Sequence, residues 1–178
     1  MTKRFILLDR DGTLNVERNY LSDPDQLELF SGVGKALAEL RAMGFGLVVV
    51  TNQSGVGRGY FTLERVHEIH ERLKRMLAAD GAVIDGIYIC PHHPDVACDC
   101  RKPLPGMARQ AIAEFGFDPA QAIVIGDKEA DIDLGKAIGA QTILVRTGWG
   151  ADTEKRGQCR PDVIVDDLPA AAAWIKSR

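Results

Sequence analysis

The chain has 178 residues, with 22 Lys and Arg against 25 Asp and Glu and a net charge of -3. That length suits one domain with a substantial core, and mixed charges without a basic tract argue against a nucleic-acid or anionic-membrane partner. No apolar run is long enough for a transmembrane helix, and Met1-Thr2-Lys3-Arg4 leads into only four apolar residues, too few for a secretory leader. A cytoplasmic chain is expected.

Apolar runs alternate with amphipathic stretches along the whole chain. Residues 5–9 read as a strand buried on both faces, because Phe5-Ile6-Leu7-Leu8 is unbroken. Residues 32–43 repeat apolar positions at helical spacing and stop at Gly44. A second buried strand spans 47–51. Thr62 can cap a long helix that carries Leu63, Val66, Ile69, Leu73, Met76 and Leu77 and stops at Gly81. Further strands are expected at 87–89, 122–125, 142–145 and 163–165, and helices at 107–115, 131–138 and 168–176. The glycine-rich stretch 55–59 reads as a mobile loop. It lacks the G-x-G-x-x-G spacing of a dinucleotide turn. This alternation predicts one α/β domain, residues 1–178, built on a doubly wound parallel sheet with right-handed crossovers.

In such a sheet, ligands bind beyond the carboxyl ends of the strands. Four groups fall there: Asp9 and Asp11, then Thr51-Asn52-Gln53-Ser54-Gly55, then Arg101-Lys102-Pro103, then Gly126-Asp127-Lys128-Glu129-Ala130-Asp131. Any one could be an ordinary turn, cap or solvated base. Together they suit phosphoryl transfer. A carboxylate can attack phosphorus, a second can move the proton, and Asp9 with Asp127 can hold a hard cation such as Mg²⁺. Lys102 and the Thr51 hydroxyl can face the phosphoryl oxygens.

Asp9-Arg10-Asp11-Gly12-Thr13 and the groups that follow resemble the motifs of the haloacid dehalogenase (HAD) superfamily, mostly phosphatases. The resemblance implies strand order 3-2-1-4-5-6. It casts Asp9 as nucleophile and Asp11 as general acid/base and carbonyl metal ligand. Thr51 and Lys102 fall at its second and third motifs, Asp127 at the metal acid and Asp131 at a supporting acid behind it. Many relatives carry a cap domain. Here the segments from Asp9 to Thr51 and from Thr51 to Cys90 hold little more than one helix each, so an open, capless site is expected.

Cys90, His92, His93, Cys98 and Cys100 fall within eleven positions. Soft thiolate and imidazole donors point to Zn²⁺, and four protein ligands leave no open position, so the ion is structural. The expected set is Cys90, His92, Cys98 and Cys100, with His93 an alternative to His92. Cys159 reads as an ordinary free thiol.

This Cys-x-His…Cys-x-Cys-Arg-Lys-Pro pattern is similar to the capless HAD branch that holds heptose-bisphosphate and histidinol-phosphate phosphatases. The continuation Ser54-Gly55-Val56-Gly57-Arg58-Gly59 resembles the heptose enzymes, which make precursors of nucleotide-activated heptose for surface polysaccharide. The resemblance implies that Glu17, Arg18, Asn19, Tyr20, Asn52, Gln53 and Ser54 contact the sugar. Arg101 and Lys128 are spare bases for a second phosphate, and Arg58 is a third candidate. A polynucleotide 3′-phosphatase or a non-catalytic zinc module are the more distant alternatives. A monomer is expected.

Overall fold

The structure, a computed structural model, describes residues 3–178. Met1 and Thr2, part of the stretch read against a leader, lie outside the described residues. Among the described residues a six-stranded, all-parallel sheet runs in the order β3-β2-β1-β4-β5-β6. Its strands are β1 (Phe5–Leu8), β2 (Gly46–Asn52), β3 (Gly86–Cys90), β4 (Ile123–Gly126), β5 (Gln141–Val145) and β6 (Val163–Val165). The helices are α1 (Val33–Ala42), α2 (Ser54–Gly57), α3 (Leu63–Ala79), α4 (Gly106–Phe115), α5 (Glu129–Ile138), α6 (Gly150–Arg156) and α7 (Leu168–Lys176). No helix among the described residues is long and apolar enough to cross a membrane.

Alternate residues of each strand feed two separate cores, as a pleated strand covered on both faces requires. Ile6, Leu8, Val49, Ile125 and Ile143 face α1, α3 and α7 through Leu37, Leu40, Ile69, Leu73, Ala171 and Ile175. Phe5, Leu7, Val48, Val50 and Val124 face α4 and α5 through Met107, Ala111 and Leu134. Phe5 also stacks on Phe115 and Phe117, with centroids 5.1 and 4.6 Å away.

Local signals terminate the elements where the chain must turn. The Thr62 hydroxyl accepts from the Arg65 N–H and starts α3. Gly139 takes φ 75° at the end of α5, a conformation that suits glycine. Asp85 ties the turn before β3 to the second strand, accepting from the Leu47 N–H at 2.8 Å and from Arg41 at 2.6 Å.

Two expectations need correction. The stretch read as a mobile loop at 55–59 is largely α2, a single turn with Arg58 and Gly59 closing onto Ser54 and Val56. A Cβ on Gly57 would overlap the main chain of His92 and His93, so α2 rests directly on the cysteine loop. The pattern also missed α6, a short polar helix with too few apolar positions to show a period. No folded cap interrupts the segments between Asp9 and Thr51 or between Thr51 and Cys90.

His70 lies on the core face of α3 beside Ile69 and Leu73. Its Nε2 sits 3.0 Å from a guanidinium nitrogen of fully buried Arg10. Burial and the Arg10 charge push the imidazole down to about 3, so it is neutral and accepts the Arg10 hydrogen bond. Unfolded, the ring titrates near 6.5. Between those values the unfolded chain binds the extra proton, so stability falls as pH drops through that window. Urea melts of wild type and His70→Gln at stepped pH test this. The wild type should lose more stability between about pH 6.5 and pH 4; parallel losses would refute the assignment.

Candidate active site

Adjacent central strands set the frame of the site. The β1–β4 pairing continues past β1, where the Asp9 N–H donates to the Ile125 carbonyl at 3.0 Å. Asp9 and Asp127, 118 positions apart in sequence, therefore leave the same sheet edge side by side. Their carboxylate oxygens and one from Asp131 all lie within 4.8 Å of one another. All three side chains are buried.

Lys102 compensates this cluster. Its Nζ donates to Asp9 at 2.7 Å, to Asp131 at 2.6 Å and to the Val50 carbonyl at 2.8 Å. Burial opposes the ammonium, but Asp131 and Asp9 together raise its pKa. Asn52 clasps the Lys102 main chain on both sides: its Oδ1 accepts from the Lys102 N–H and its Nδ2 donates to the Lys102 carbonyl. The Lys102–Pro103 peptide bond is cis.

One ammonium does not neutralise three acids. Asp127 is pushed up to about 9 by burial and by the charges of Asp9 and Asp131, and Asp131 is raised by burial and by Asp9, against the pull of Lys102. Asp127 Oδ2 accepts from the Trp149 N–H at 2.8 Å, while its buried Oδ1 has no partner. An orphaned buried carboxylate oxygen beside two more acids suits a hard divalent cation, which would relieve the repulsion. The Asp127 carboxylate reaches this position because Gly12 stands opposite. Gly12 has φ 90°, and a Cβ there would overlap that carboxylate.

Asp11 stands at the mouth of the site. Although burial works against ionisation, the Arg10 charge and hydrogen bonds from Asn15, Arg10 and Gln53 hold its carboxyl below the usual range. Gln53 Nε2 bridges Asp11 at 2.9 Å and the buried Thr51 hydroxyl at 2.8 Å. Thr51, Asp9, Asp11, Lys102, Asp127 and Asp131, the six motif residues, thus converge on one place.

A cavity of about 310 Å³ opens at Asp11 and next to the chain neighbours of Thr51, Lys102 and Asp127, lined by Asp11, Glu17, Asn19, Tyr20, Asn52, Gln53, Ser54, Arg101, Lys128 and Trp149 among others. Arg18 does not line it; the side chain turns outward and pairs with Glu28. Arg58 also stays off the wall, lying over the Tyr20 ring and near His93. Lys128 pairs with Glu17 at 3.0 Å. Burial would lower its pKa, but Asp9, Asp127 and Glu17 raise it. Arg101 is aimed by a 2.6 Å hydrogen bond to the His92 carbonyl. Asn19 and Tyr20 both adopt positive φ, 48° and 72°, unusual for residues with side chains.

Below this wall, Cys90 Sγ, His92 Nδ1, Cys98 Sγ and Cys100 Sγ form a second donor set, all within 4.8 Å of one another. The Cys90–Cys98 separation is 3.8 Å, and a tetrahedron with bonds of ~2.3 Å has edges of about 3.8 Å. His93 instead faces Asp95 and Arg58. Cys159 is a free, partly buried thiol well along the chain.

Sequence reasoning missed Arg10 and His70, although His70 sits at core spacing with Val66, Ile69, Leu73 and Leu77. It also missed the loop after β5 and the start of α6. There Thr147 Oγ1 donates to the Gly12 carbonyl, Trp149 N to Asp127 and Thr153 Oγ1 to the Asp127 carbonyl. The strand-end rule applied to β5 would have pointed to that loop.

Comparison with known proteins agrees with this architecture. The HAD-hydrolase-like family model matches residues 99–171. The D-glycero-beta-D-manno-heptose-1,7-bisphosphate 7-phosphatase of Haemophilus ducreyi is 43% identical, over 98% of this chain and 100% of its own. That of Haemophilus influenzae is 44% identical, over 96% and 97%. Among solved structures, the D,D-heptose 1,7-bisphosphate phosphatase from B. bronchiseptica, complexed with magnesium and phosphate, superposes with TM-score 0.93 at 36% identity, covering 98% of both chains. The chain belongs to the heptose-bisphosphate phosphatase family of HAD-like hydrolases.

Proposed function

We propose that the protein hydrolyses the 7-phosphate ester of D-glycero-beta-D-manno-heptose 1,7-bisphosphate, upstream of nucleotide activation of the sugar. The observation that carries this reading is the pair of cations on the cavity wall. Arg101 and Lys128 both line the cavity beside the reacting groups, outside the Lys102 clasp on Asp9 and Asp131, where a substrate with a second, remote phosphate needs cations. The names of the full-length relatives point the same way. Histidinol phosphate, the runner-up, has no second phosphate for these cations to meet.

The chain's own residues supply the steps. Asp9 attacks phosphorus and forms an aspartyl-phosphate, and the P–O7 bond to the sugar breaks. Asp11 delivers a proton to the departing O7 and then takes one from the water that attacks the intermediate, releasing inorganic phosphate. Lys102 and Thr51 face the phosphoryl oxygens. Asp131 and Asn52 hold Lys102 in place. Mg²⁺, held by Asp9, Asp127 and the Asp11 carbonyl, would supply the positive charge that lets one anion approach another. Asn19, Tyr20, Gln53 and Ser54 shape the sugar site, and Glu17 accepts from a sugar hydroxyl when Lys128 turns to phosphate.

Zn²⁺ suits the donor set of Cys90, His92, Cys98 and Cys100 and fills a structural role there. Burial and the neighbouring Cys90 and Cys98 push the Cys100 thiol up to about 12, and a bound cation would favour its thiolate. The set directly precedes Arg101 and Lys102, so it fixes the backbone from which both cations project. We also assign the protein to the cytoplasm, as a single-domain monomer acting on a small molecule.

Phosphate release from heptose 1,7-bisphosphate and from histidinol phosphate, side by side with Mg²⁺, tests the reading. The bisphosphate should be strongly preferred, with activity lost in Asp9→Asn or under a chelator and regained on adding Mg²⁺. Preference for histidinol phosphate would overturn the substrate while keeping the mechanism. Elemental analysis and kinetics of Cys100→Ser test the second metal. Zinc content should fall and kcat/KM should drop by about 10²-fold as Lys102 shifts; full turnover with full zinc would exclude the role.

A further inference from the structure

We propose that Arg10, braced by His70, is a positioning residue that holds the Asp11 carboxylate between its two proton transfers. Arg10 is wholly buried, and the Asp11 carboxylate is the acid it meets. Its Nη2 donates to both Asp11 oxygens, at 2.9 and 2.7 Å, and its Nε donates to Oδ1 at 3.2 Å. Its remaining arm, Nη1, meets His70 Nε2 at 3.0 Å. The imidazole is neutral, so it orients the guanidinium without competing for its charge. His70 Nδ1 has no partner; the hydrogen-bonding capacity the ring does use is spent on Arg10.

The donors around Asp11 explain what this achieves. Asn15 Nδ2 at 3.0 Å and Gln53 Nε2 at 2.9 Å also donate to these two oxygens and complete the set. A carboxylate saturated with donors is in the state that follows proton delivery to the leaving oxygen and precedes proton uptake from water. Arg10 is always charged and presents a rigid fork, so it returns Asp11 to one orientation after each transfer. The pair also couples the catalytic turn after β1 to α3, an element that contributes no lining residue to the active-site cavity.

The inference rests on the role of Asp11 given above, not on the identity of the sugar. Its test uses the leaving group. A sugar alkoxide cannot depart without a proton, whereas p-nitrophenolate can, and kcat/KM covers only the steps through formation of the aspartyl-phosphate. Arg10→Met should therefore lose kcat/KM on the alkyl ester by at least about tenfold more than on p-nitrophenyl phosphate. Its kcat should fall on both, because water activation is common to them. His70→Leu should show the same split in smaller measure. His70→Gln, which keeps an acceptor for Nη1, should largely restore it, and the His70 series carries the test should Arg10→Met fail to fold. Equal losses on both esters, or a split that His70→Gln leaves as large as His70→Leu, would overturn the proposal in favour of a merely structural pair. Asp11→Asn serves as the control: if it shows no split, the role of Asp11 itself fails. Histidinol phosphate, also an alkyl ester, replaces the heptose substrate if the sugar assignment fails.

Discussion

A single buried ammonium holds this molecule's chemistry together. Lys102 meets Asp9 and Asp131 with its Nζ, and all three side chains are shielded from water. Removing one partner of such a pair leaves an uncompensated buried charge, typically at a cost of about 3–5 kcal/mol. The surroundings are arranged to keep Lys102 where it is: Asn52 grips its main chain, Val50 accepts its third hydrogen bond, and the cysteine loop anchors the residues just before it. The resulting balance is deliberately incomplete. Asp127 stays repelled by Asp9 and Asp131, with one oxygen unpartnered; a divalent ion would answer this residual negative potential, and its positive charge would then admit an anionic phosphate group.

The parallel sheet turns that local balance into a site. Because β1 lies between β2 and β4, the ends of three neighbouring strands deliver Asp9, Thr51 and Asp127 to one edge. The long loop after β3 then crosses back to deliver the lysine. No cap covers this edge, so selectivity falls to short elements lying on it. The turn at residues 19 and 20, the single helical turn α2 and the loop that starts α6 make the wall. α2 in turn rests on the cysteine loop, with Gly57 allowing the close approach, so the thiol cluster supports both the cations and the selectivity wall.

Much of this is legible in the sequence. Unbroken runs such as Leu47-Val48-Val49-Val50 mark strands covered on both faces, and acids or hydroxyls directly after such runs mark the active edge. What the pattern could not show was orientation. Arg18 and Glu17 are adjacent, yet one faces solvent and the other the cavity, because loop conformation decides it. Arg10 lies within the signature itself, yet nothing in its sequence context marks an arginine between two aspartates as a buried clasp. α2 looks like a loop in the sequence because four residues rich in glycine carry no period and form a helical turn only against a surface supplied from elsewhere.

The β1–β4 neighbourhood also sets an order of events during synthesis. A chain emerged only as far as α4 contains Asp9, Asp11, Thr51 and Lys102 but neither Asp127 nor Asp131. At that stage Lys102 faces a single carboxylate, and three strands can already pair in sequence as β3, β2 and β1. The mutual repulsion of the acids is imposed only when β4 adds to the far side of β1, a long-range contact that closes late. Folding thus meets its least favourable electrostatic step after most of the hydrophobic support for it can be in place.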